Sequence, residues 1–262
     1  YNDLNKLKSI NLNSKADSFN YNKKISLKNI YYNYPNTKNV TLKNINLSIP
    51  IKSTIGLVGT TGSGKTTMVD IILGLLDPSK GTLEVDEQII SKKNVRSWQS
   101  TIGYVPQHIY LSDDTIAANI AFGVDAKEIN QDAIEFASKT ANLHDFVSLD
   151  LPQKYQTIVG ERGARLSGGQ RQRIGIARAL YHCPQTLILD EATSALDNQT
   201  EQAIMDSINK LSKEMTIIII AHRLSTLKKC DQIILIDKGE IKKTGTFEEV
   251  INTYEKFHIK SN

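Results

Sequence analysis

A strand that leads directly into a glycine-rich turn and then into a helix constrains this chain more than any other feature. Thr54–Val58 is a continuous apolar run, which is typical of a strand buried on both faces. Residues 59–66 match the pattern G-x-x-x-x-G-K-[ST], and residues 66–76 repeat apolar side chains at helical spacing. Because a strand buried on both faces needs elements covering both, this unit predicts an α/β fold.

The glycine-rich turn predicts a site for phosphate groups. Its glycines let successive backbone N–H groups point inward, and the helix start adds unsatisfied N–H groups and a partial positive charge. Lys65 is placed to bridge the β- and γ-phosphates of a nucleoside triphosphate, and Thr66 to give its hydroxyl to Mg²⁺. The residues predicted to bind nucleotide here are Gly59, Thr60, Thr61, Gly62, Ser63, Gly64, Lys65, Thr66 and Thr67.

The rest of the chain divides into three kinds of segment. Strand-like runs at 102–105, 186–189, 216–220 and 232–236 and helical stretches at 198–212 and 224–229 predict a parallel sheet covered on both faces. Residues 25–34 and 42–49 alternate apolar and polar side chains, which predicts a small antiparallel sheet with one wet face. Residues 117–180 have helical periodicity and predict an inserted helical lobe.

We therefore predict an α/β P-loop NTPase (RecA-like) core with a small antiparallel β subdomain and an inserted α-helical subdomain. The predicted core comprises residues 23–107 and 182–262, and the helical subdomain comprises residues 108–181. Residues 1–22 are polar and rich in Asn, Lys and Ser, and we expect them to form a linker or an extended lead-in to an upstream segment. Because the sequence starts at Tyr1 without an initiator Met, we expect it to be a piece of a longer chain.

Two adjacent carboxylates follow the apolar run at 186–189. Asp190 and Glu191 lie at a strand end, where successive side chains point to opposite sides and therefore differ in role. We assign Asp190 to the Mg²⁺ sphere and Glu191 to the attacking water as general base.

Composition excludes several classes of protein. The net charge of +4 is too small to indicate nucleic-acid binding, and the 2 cysteines provide neither a disulfide framework nor a metal site and fit a reducing compartment best. No apolar run approaches the roughly 20 residues needed to cross a bilayer. Five of the seven arginines lie within residues 162–178, which marks this segment for carboxylate or phosphate contacts, or else as a solvated helix face.

Residues 166–170 read Leu-Ser-Gly-Gly-Gln and open an arginine-rich helical run, 171–180. This segment resembles the signature motif of ATP-binding-cassette (ABC) ATPases, and the resemblance extends over residues 24–247. It implies ATP and Mg²⁺ as ligands. Tyr34 resembles the aromatic residue that stacks on adenine, Gln107 the glutamine that contacts Mg²⁺ and water, and His222 the histidine that contacts the γ-phosphate.

The resemblance also implies a partner. In this family the signature binds the γ-phosphate of ATP held by the opposite subunit, so a second nucleotide-binding domain is expected in a head-to-tail homodimer. The corresponding residues here are Ser167, Gly168, Gly169 and Gln170, and several arginines of the following helix are expected to support it. Residues 194–197 resemble the loop that crosses this dimer interface, and Asp197 also suits a helix N-cap.

Residues 114–123 and 157–163 resemble exporter sequences. The resemblance implies that the region around Glu161 contacts a membrane domain of the same polypeptide, and that residues 1–22 are the linker from that upstream membrane domain. Softer similarities point to bacterial lipid-linked oligosaccharide flippases of the PglK type, at the cytoplasmic face of the bacterial inner membrane. The alternatives are a free-standing importer ATPase and a soluble nucleic-acid-associated ABC ATPase. No coiled-coil insertion divides the chain, which argues against the DNA-repair branch, and no nucleic-acid partner is expected.

Overall fold

The computed structural model describes residues 19–259 except 36, 38 and 222, with side chains as far as Tyr254. The strands are β1 Lys24–Tyr32, β2 Leu42–Pro50, β3 Thr54–Val58, β4 Lys80–Val85, β5 Gln88–Ile89, β6 Ile102–Val105, β7 Thr186–Asp190, β8 Thr216–Ile220, β9 Gln232–Asp237 and β10 Glu240–Gly245. The α-helices are α1 Lys65–Ile72, α2 Val95–Gln99, α3 Ile116–Ile120, α4 Gln131–Thr140, α5 Gly168–Tyr181, α6 Asn198–Leu211 and α7 Phe247–Ile259.

A six-stranded sheet forms the centre of the molecule, in the order β10-β9-β3-β8-β7-β6. The five strands from β9 to β6 are parallel, and β10 is antiparallel to β9. Every residue of β3, β7 and β8 is buried. Ile217 and Ile219 pack into one hydrophobic core while Ile218 and Ile220 pack into the other, as the period of two in a strand requires. The predicted α/β core is confirmed.

The predicted antiparallel subdomain is also confirmed, with four strands in the order β2-β1-β4-β5. Strands β4 and β5 extend the pair that the sequence pattern indicated. Strand β1 ends at Tyr32, two residues before the predicted end, so that Tyr34 lies beyond the strand. Asn29 has φ of +50° at a register shift of β1, and the shift redirects the strand end.

Helix α1 is shorter than the predicted 66–76. It ends at Ile72, and Gly74 has φ of +66°, a left-handed conformation that stops the helix. Residues 224–229 were predicted as a helix and form a single 3₁₀ turn, Leu224–Leu227.

The inserted segment contains α3, α4 and α5 together with short turns, which agrees with a helical lobe. Helix α5 runs back from this lobe to the central sheet and passes close to β6. A Cβ on Gly103 would lie 2.3 Å from the Ala179 carbonyl oxygen, so glycine is what permits this approach.

Residues 1–18 of the predicted linker lie outside the described residues, whereas the end of that segment lies against the core. Phe19 and Tyr21 pack on Trp98, with ring centroids 5.9 Å and 5.3 Å away. The Tyr21 hydroxyl pairs with the Thr186 hydroxyl at 2.7 Å, and Trp98 Nε1 donates to the Ile72 carbonyl at 2.7 Å.

A carboxylate fastens the next three residues. The N–H groups of Asn22, Lys23 and Lys24 donate to Asp86 at 2.7, 2.9 and 2.8 Å. These backbone hydrogen bonds hold the pKa of Asp86 below its ordinary value, against the opposing effect of its burial. Among the described residues, none of the helices has both the length and the apolar character that a bilayer crossing requires.

Candidate active site

The turn between β3 and α1 forms a backbone cradle. Gly64 caps α1 with φ of +107°, and Gly62 has φ of +77° with open space where a side chain would lie. A Cβ on Gly59 would lie 2.1 Å from the Ile236 carbonyl oxygen. The glycines are therefore needed for both the turn and its close approach to β9, and the N–H groups at the start of α1 face the cradle.

Lys65 lies across this cradle. Its side chain is buried, and Nζ donates to the carbonyl oxygens of Gly59 at 2.8 Å and Thr60 at 2.9 Å. Burial lowers the pKa of Lys65, and the carboxylates Glu191 and Asp190 act in the opposite direction. An ammonium group held between a phosphate-shaped loop and two carboxylates suits a polyanion with a divalent cation.

Tyr34 lies beside the cradle. Its hydroxyl pairs with the Thr67 hydroxyl at 3.1 Å, and its ring meets Tyr32 edge-on at 5.1 Å. Tyr34 is 39% exposed, so part of its side chain is accessible to an aromatic ligand. Tyr34 and the loop line a surface cleft of 210 Å³ with Thr41, Gly62, Gly64, Lys65, Thr66 and Thr67.

Three carboxylates lie near the end of β7. Asp190 is buried and accepts a long hydrogen bond from the Tyr104 hydroxyl at 3.5 Å. Burial raises the pKa of Asp190, and the nearby Glu191 and Asp70 raise it further. Burial, together with the neighbouring Asp190 and Asp70, raises the pKa of Tyr104 to about 12. A cation would relieve this crowding of negative charge, so the donor set of Asp190 and the exposed Thr66 hydroxyl fits Mg²⁺, which prefers oxygen ligands.

Glu191 lies just beyond β7, which ends at Asp190, so the alternation of strand side chains expected for this pair does not extend to it. Its φ of +52° is uncommon for a residue with a side chain, and its N–H donates to the Ile220 carbonyl at 3.0 Å. Gln107 Nε2 donates to Glu191 Oε2 at 2.5 Å. The structure therefore brings together Gln107 and Glu191, which are 84 residues apart in sequence.

The signature residues begin α5. Ser167 is the N-cap, and its hydroxyl accepts a hydrogen bond from the Gln170 N–H at 3.2 Å while Gln170 Oε1 accepts from the Ser167 N–H at 2.8 Å. This reciprocal capping box commits the Gln170 side chain to the cap. The Ser167 hydroxyl keeps its own proton available for an anion.

The two signature glycines pack against the loop after β7. A Cβ on Gly169 would lie 3.2 Å from Leu196 Cδ2, and one on Gly168 would lie 3.4 Å from Ala195 Cβ. Gln172, which was not predicted, ties the same loop to α5: its amide donates to the Ser194 hydroxyl at 3.0 Å and accepts from the Ala195 N–H at 2.9 Å. A glutamine inside a helix gives no pattern by which it could have been found.

Gly168 and Gln107 lie together, because both line a second cleft, of 340 Å³, with Gln172 and Ser194. This cleft differs in its lining from the one beside Tyr34. Within the described residues, the candidate site is thus divided between a cradle and a signature surface. His222 lies outside the described residues.

The arginine cluster mainly braces the helical lobe. Arg171 donates to the Leu166 carbonyl, Arg173 to the Asn142 carbonyl and Arg178 to the Asn119 and Tyr110 carbonyls. Burial lowers the pKa of both Arg173 and Arg178. These hydrogen bonds agree with the expectation that several arginines support the signature helix.

Comparison with known proteins gives a family match over the candidate site. The sequence model of the family described as "ABC transporter" matches residues 42–194, which include the cradle, the signature and the strand-end carboxylates.

Similar proteins span several organisms. The chain is 42% identical over 228 residues to ATP-binding cassette sub-family B member 5 of Homo sapiens, covering 87% of this chain and 18% of that protein. It is 42% identical over 229 residues to an ATP-dependent lipid A-core flippase of Saccharophagus degradans, covering 87% of this chain and 38% of that protein.

A solved structure of a bacterial Atm1-family ABC exporter with ATP bound superposes with a TM-score of 0.84 at 34% identity, covering 91% of this chain and 41% of that chain. The chain therefore spans less than half the length of these relatives.

Proposed function

The chain belongs to the ABC transporter family as an ATPase domain of the exporter type, and from this premise we propose that its ATP hydrolysis powers export or lipid flipping. The observation that carries the proposal is the placement of Lys65, Asp190 and Glu191 around one phosphate cradle, with Gln107 on the Glu191 carboxylate.

ATP binding would begin at the cradle. Lys65 exchanges its two carbonyl partners for phosphate oxygens, and the backbone N–H groups from residues 59 to 67 surround the phosphates. The exposed Tyr34 ring would stack on the adenine. Thr66 and Asp190 would hold Mg²⁺, with Gln107 near it. When bound, the cation neutralises charge that develops on the phosphates.

Hydrolysis requires a base. Glu191 is the carboxylate that we assign to deprotonate the attacking water, and Gln107 orients that carboxylate through its amide. His222 is proposed to contact the γ-phosphate. The capped start of α5, with Ser167 and Gly169, is proposed to bind the γ-phosphate of a second copy in a head-to-tail dimer.

The attached machinery is also proposed. Residues 23–107 and 182–262 would act as the catalytic core and residues 108–181 as the helical subdomain, joined through residues 1–22 to a membrane domain of the same polypeptide. The names flippase and exporter among the relatives support a membrane-associated protein with its ATPase domain on the cytoplasmic face. A lipid-linked saccharide is the substrate class that the softer sequence similarities favour.

A direct test measures phosphate release from ATP with and without Mg²⁺. We expect Mg²⁺-dependent hydrolysis that Lys65→Ala reduces. Binding of ATP without any hydrolysis, in a chain supplied with its membrane domain, would contradict the proposal.

A further inference from the structure

A buried carboxylate on α6 joins the two segments that follow β7 and β8. Glu201 is 6% exposed. Its Oε1 accepts hydrogen bonds from the hydroxyls of Thr193 at 2.9 Å and Thr226 at 2.7 Å, and its Oε2 accepts from Arg223 Nη1 at 2.5 Å. The two carboxylate oxygens thus serve donors from two separate loops.

Both loops carry candidate catalytic residues. Thr193 lies two residues after Glu191, the candidate base, and Arg223 directly follows His222 in the sequence. Arg223 also donates to the Asn198 side chain at 2.8 Å and to the Leu196 carbonyl at 3.4 Å. The guanidinium therefore extends the same network into the loop that packs against the signature glycines.

Packing and polar contacts both set the spacing here, since Ile204 and Ile208 of α6 share one buried hydrophobic core with Leu227. A cleft of 340 Å³ separates part of α6 from the segment after β8, with Met205 and Asn209 on one side and Ser225 and Lys229 on the other. Across this cleft the Glu201 hydrogen bonds hold the elements at a defined distance. A buried carboxylate that loses its partners is costly, so the arrangement has a strongly preferred geometry.

We propose that Glu201 is a positioning residue for ATP hydrolysis, whose carboxylate fixes the loop carrying Glu191 relative to the loop that follows β8. This inference rests on the function proposed above. Glu201 accepts hydrogen bonds from the side chains of Thr193, Arg223 and Thr226, and in the contacts described it touches neither the cradle nor Lys65. Its loss should therefore change turnover and leave the affinity for ATP alone.

The chain offers a matched control on the same helix. Asp206 of α6 pairs with Lys229 at 2.6 Å and so also links α6 to the segment after β8, but both side chains are largely exposed. Asp206→Asn removes the ion pair between the same elements without involving the loop after β7. A surface pair of this kind contributes little to stability.

The experiment compares Glu201→Gln, Thr193→Val, Thr226→Val and Asp206→Asn with the wild-type chain. It measures kcat, the Kd for ATP without Mg²⁺, and the thermal unfolding midpoint. For Glu201→Gln we expect kcat to fall roughly 10- to 100-fold, since a displacement of about 1 Å can cost 10²-fold, while Kd stays within about two-fold. Each threonine variant keeps the contact between Glu201 and Arg223, so it should lower kcat by a smaller factor than Glu201→Gln. Asp206→Asn should have the kcat of the wild type.

The outcomes separate the two proposals. If the wild type hydrolyses ATP but the folded Glu201→Gln chain keeps its kcat, the positioning role is wrong and the proposed function stands. If Glu201→Gln does not fold, unchanged kcat in both threonine variants overturns the role. Equal loss of kcat in Asp206→Asn would also overturn it. A wild type that is supplied with its membrane domain and binds ATP but never hydrolyses it overturns the proposed function and this inference together.

Discussion

Replacing Glu191 by glutamine tests the catalytic assignment with the smallest change in shape. The glutamine carbonyl can still accept the hydrogen bond that Gln107 Nε2 makes to Glu191 Oε2 at 2.5 Å. Glutamate and glutamine adopt the left-handed backbone at φ of +52° equally readily. The change therefore removes a proton acceptor and a charge while it preserves the local geometry.

The expected magnitude follows from those retained contacts. With geometry kept, the loss is that of general-base catalysis alone, roughly 10²- to 10⁴-fold in kcat. This corresponds to about 2.7–5.4 kcal/mol of activation free energy, at about 1.36 kcal/mol for each tenfold change. The cradle residues are untouched, so ATP should still bind, and ATP-bound dimers should accumulate because turnover no longer reopens them.

The assay combines steady-state phosphate release, ATP binding at equilibrium and the molar mass of the ATP-bound species by light scattering. Glu214→Gln, which makes the same chemical change at an exposed turn, is the control and should behave as wild type. Hydrolysis by Glu191→Gln at the wild-type rate would falsify the assignment of the base. A loss of ATP binding equal to the loss of rate would also contradict it, because the residue would then act on affinity.

Three other substitutions probe the cradle, the buried acid and the anchored segment before β1. Lys65→Ala should weaken ATP binding roughly 10- to 150-fold in a fluorescence titration, since a hydrogen bond to a charged group contributes about 1.5–3 kcal/mol. Asp190→Asn should raise the thermal midpoint of the nucleotide-free chain at pH 8, because the raised pKa of Asp190 means that its ionised form opposes folding. Tyr21→Phe leaves the Thr186 hydroxyl buried without its partner and should lower the free energy of unfolding in urea by about 1–3 kcal/mol.

For each of these three substitutions, one result would contradict the reasoning. An unchanged Kd would show that Lys65 does not bind phosphate, and an unchanged urea midpoint would show that the Tyr21 hydroxyl contributes nothing. For Asp190→Asn, the rise in thermal midpoint must shrink as pH falls through the raised pKa of Asp190, because the wild-type carboxylate then becomes protonated. A difference that is constant or grows toward low pH contradicts the argument.

The central sheet and cradle were predictable because their signals are local. Buried parallel strands are continuous apolar runs, and the glycine spacing at 59–66 fits one backbone path. Strand β10 was missed because its residues are only half-buried or exposed and give no apolar alternation. The same holds for β5, whose two residues are exposed.

The network around Glu201 was beyond sequence reasoning for a different reason. Its members Thr193, Glu201, Arg223 and Thr226 are common polar residues, and the pairs that they form lie 8 to 25 residues apart. Their convergence depends on how α6 packs beside the sheet. By contrast, Gln107 was found through the family resemblance, although its contact with Glu191 required the fold.

The anchored segment before β1 has a mechanical consequence. Tension applied at Phe19 is shared between the aromatic contact with Trp98 and the three N–H groups held by Asp86. Trp98 in turn donates a hydrogen bond to the carbonyl of Ile72, the last residue of α1, and the first residue of α1 is Lys65. That helix is a stiff rod of about 12 Å. The segment before β1 is therefore joined by direct contacts, through Trp98, to the far end of the helix that begins with the phosphate-binding lysine.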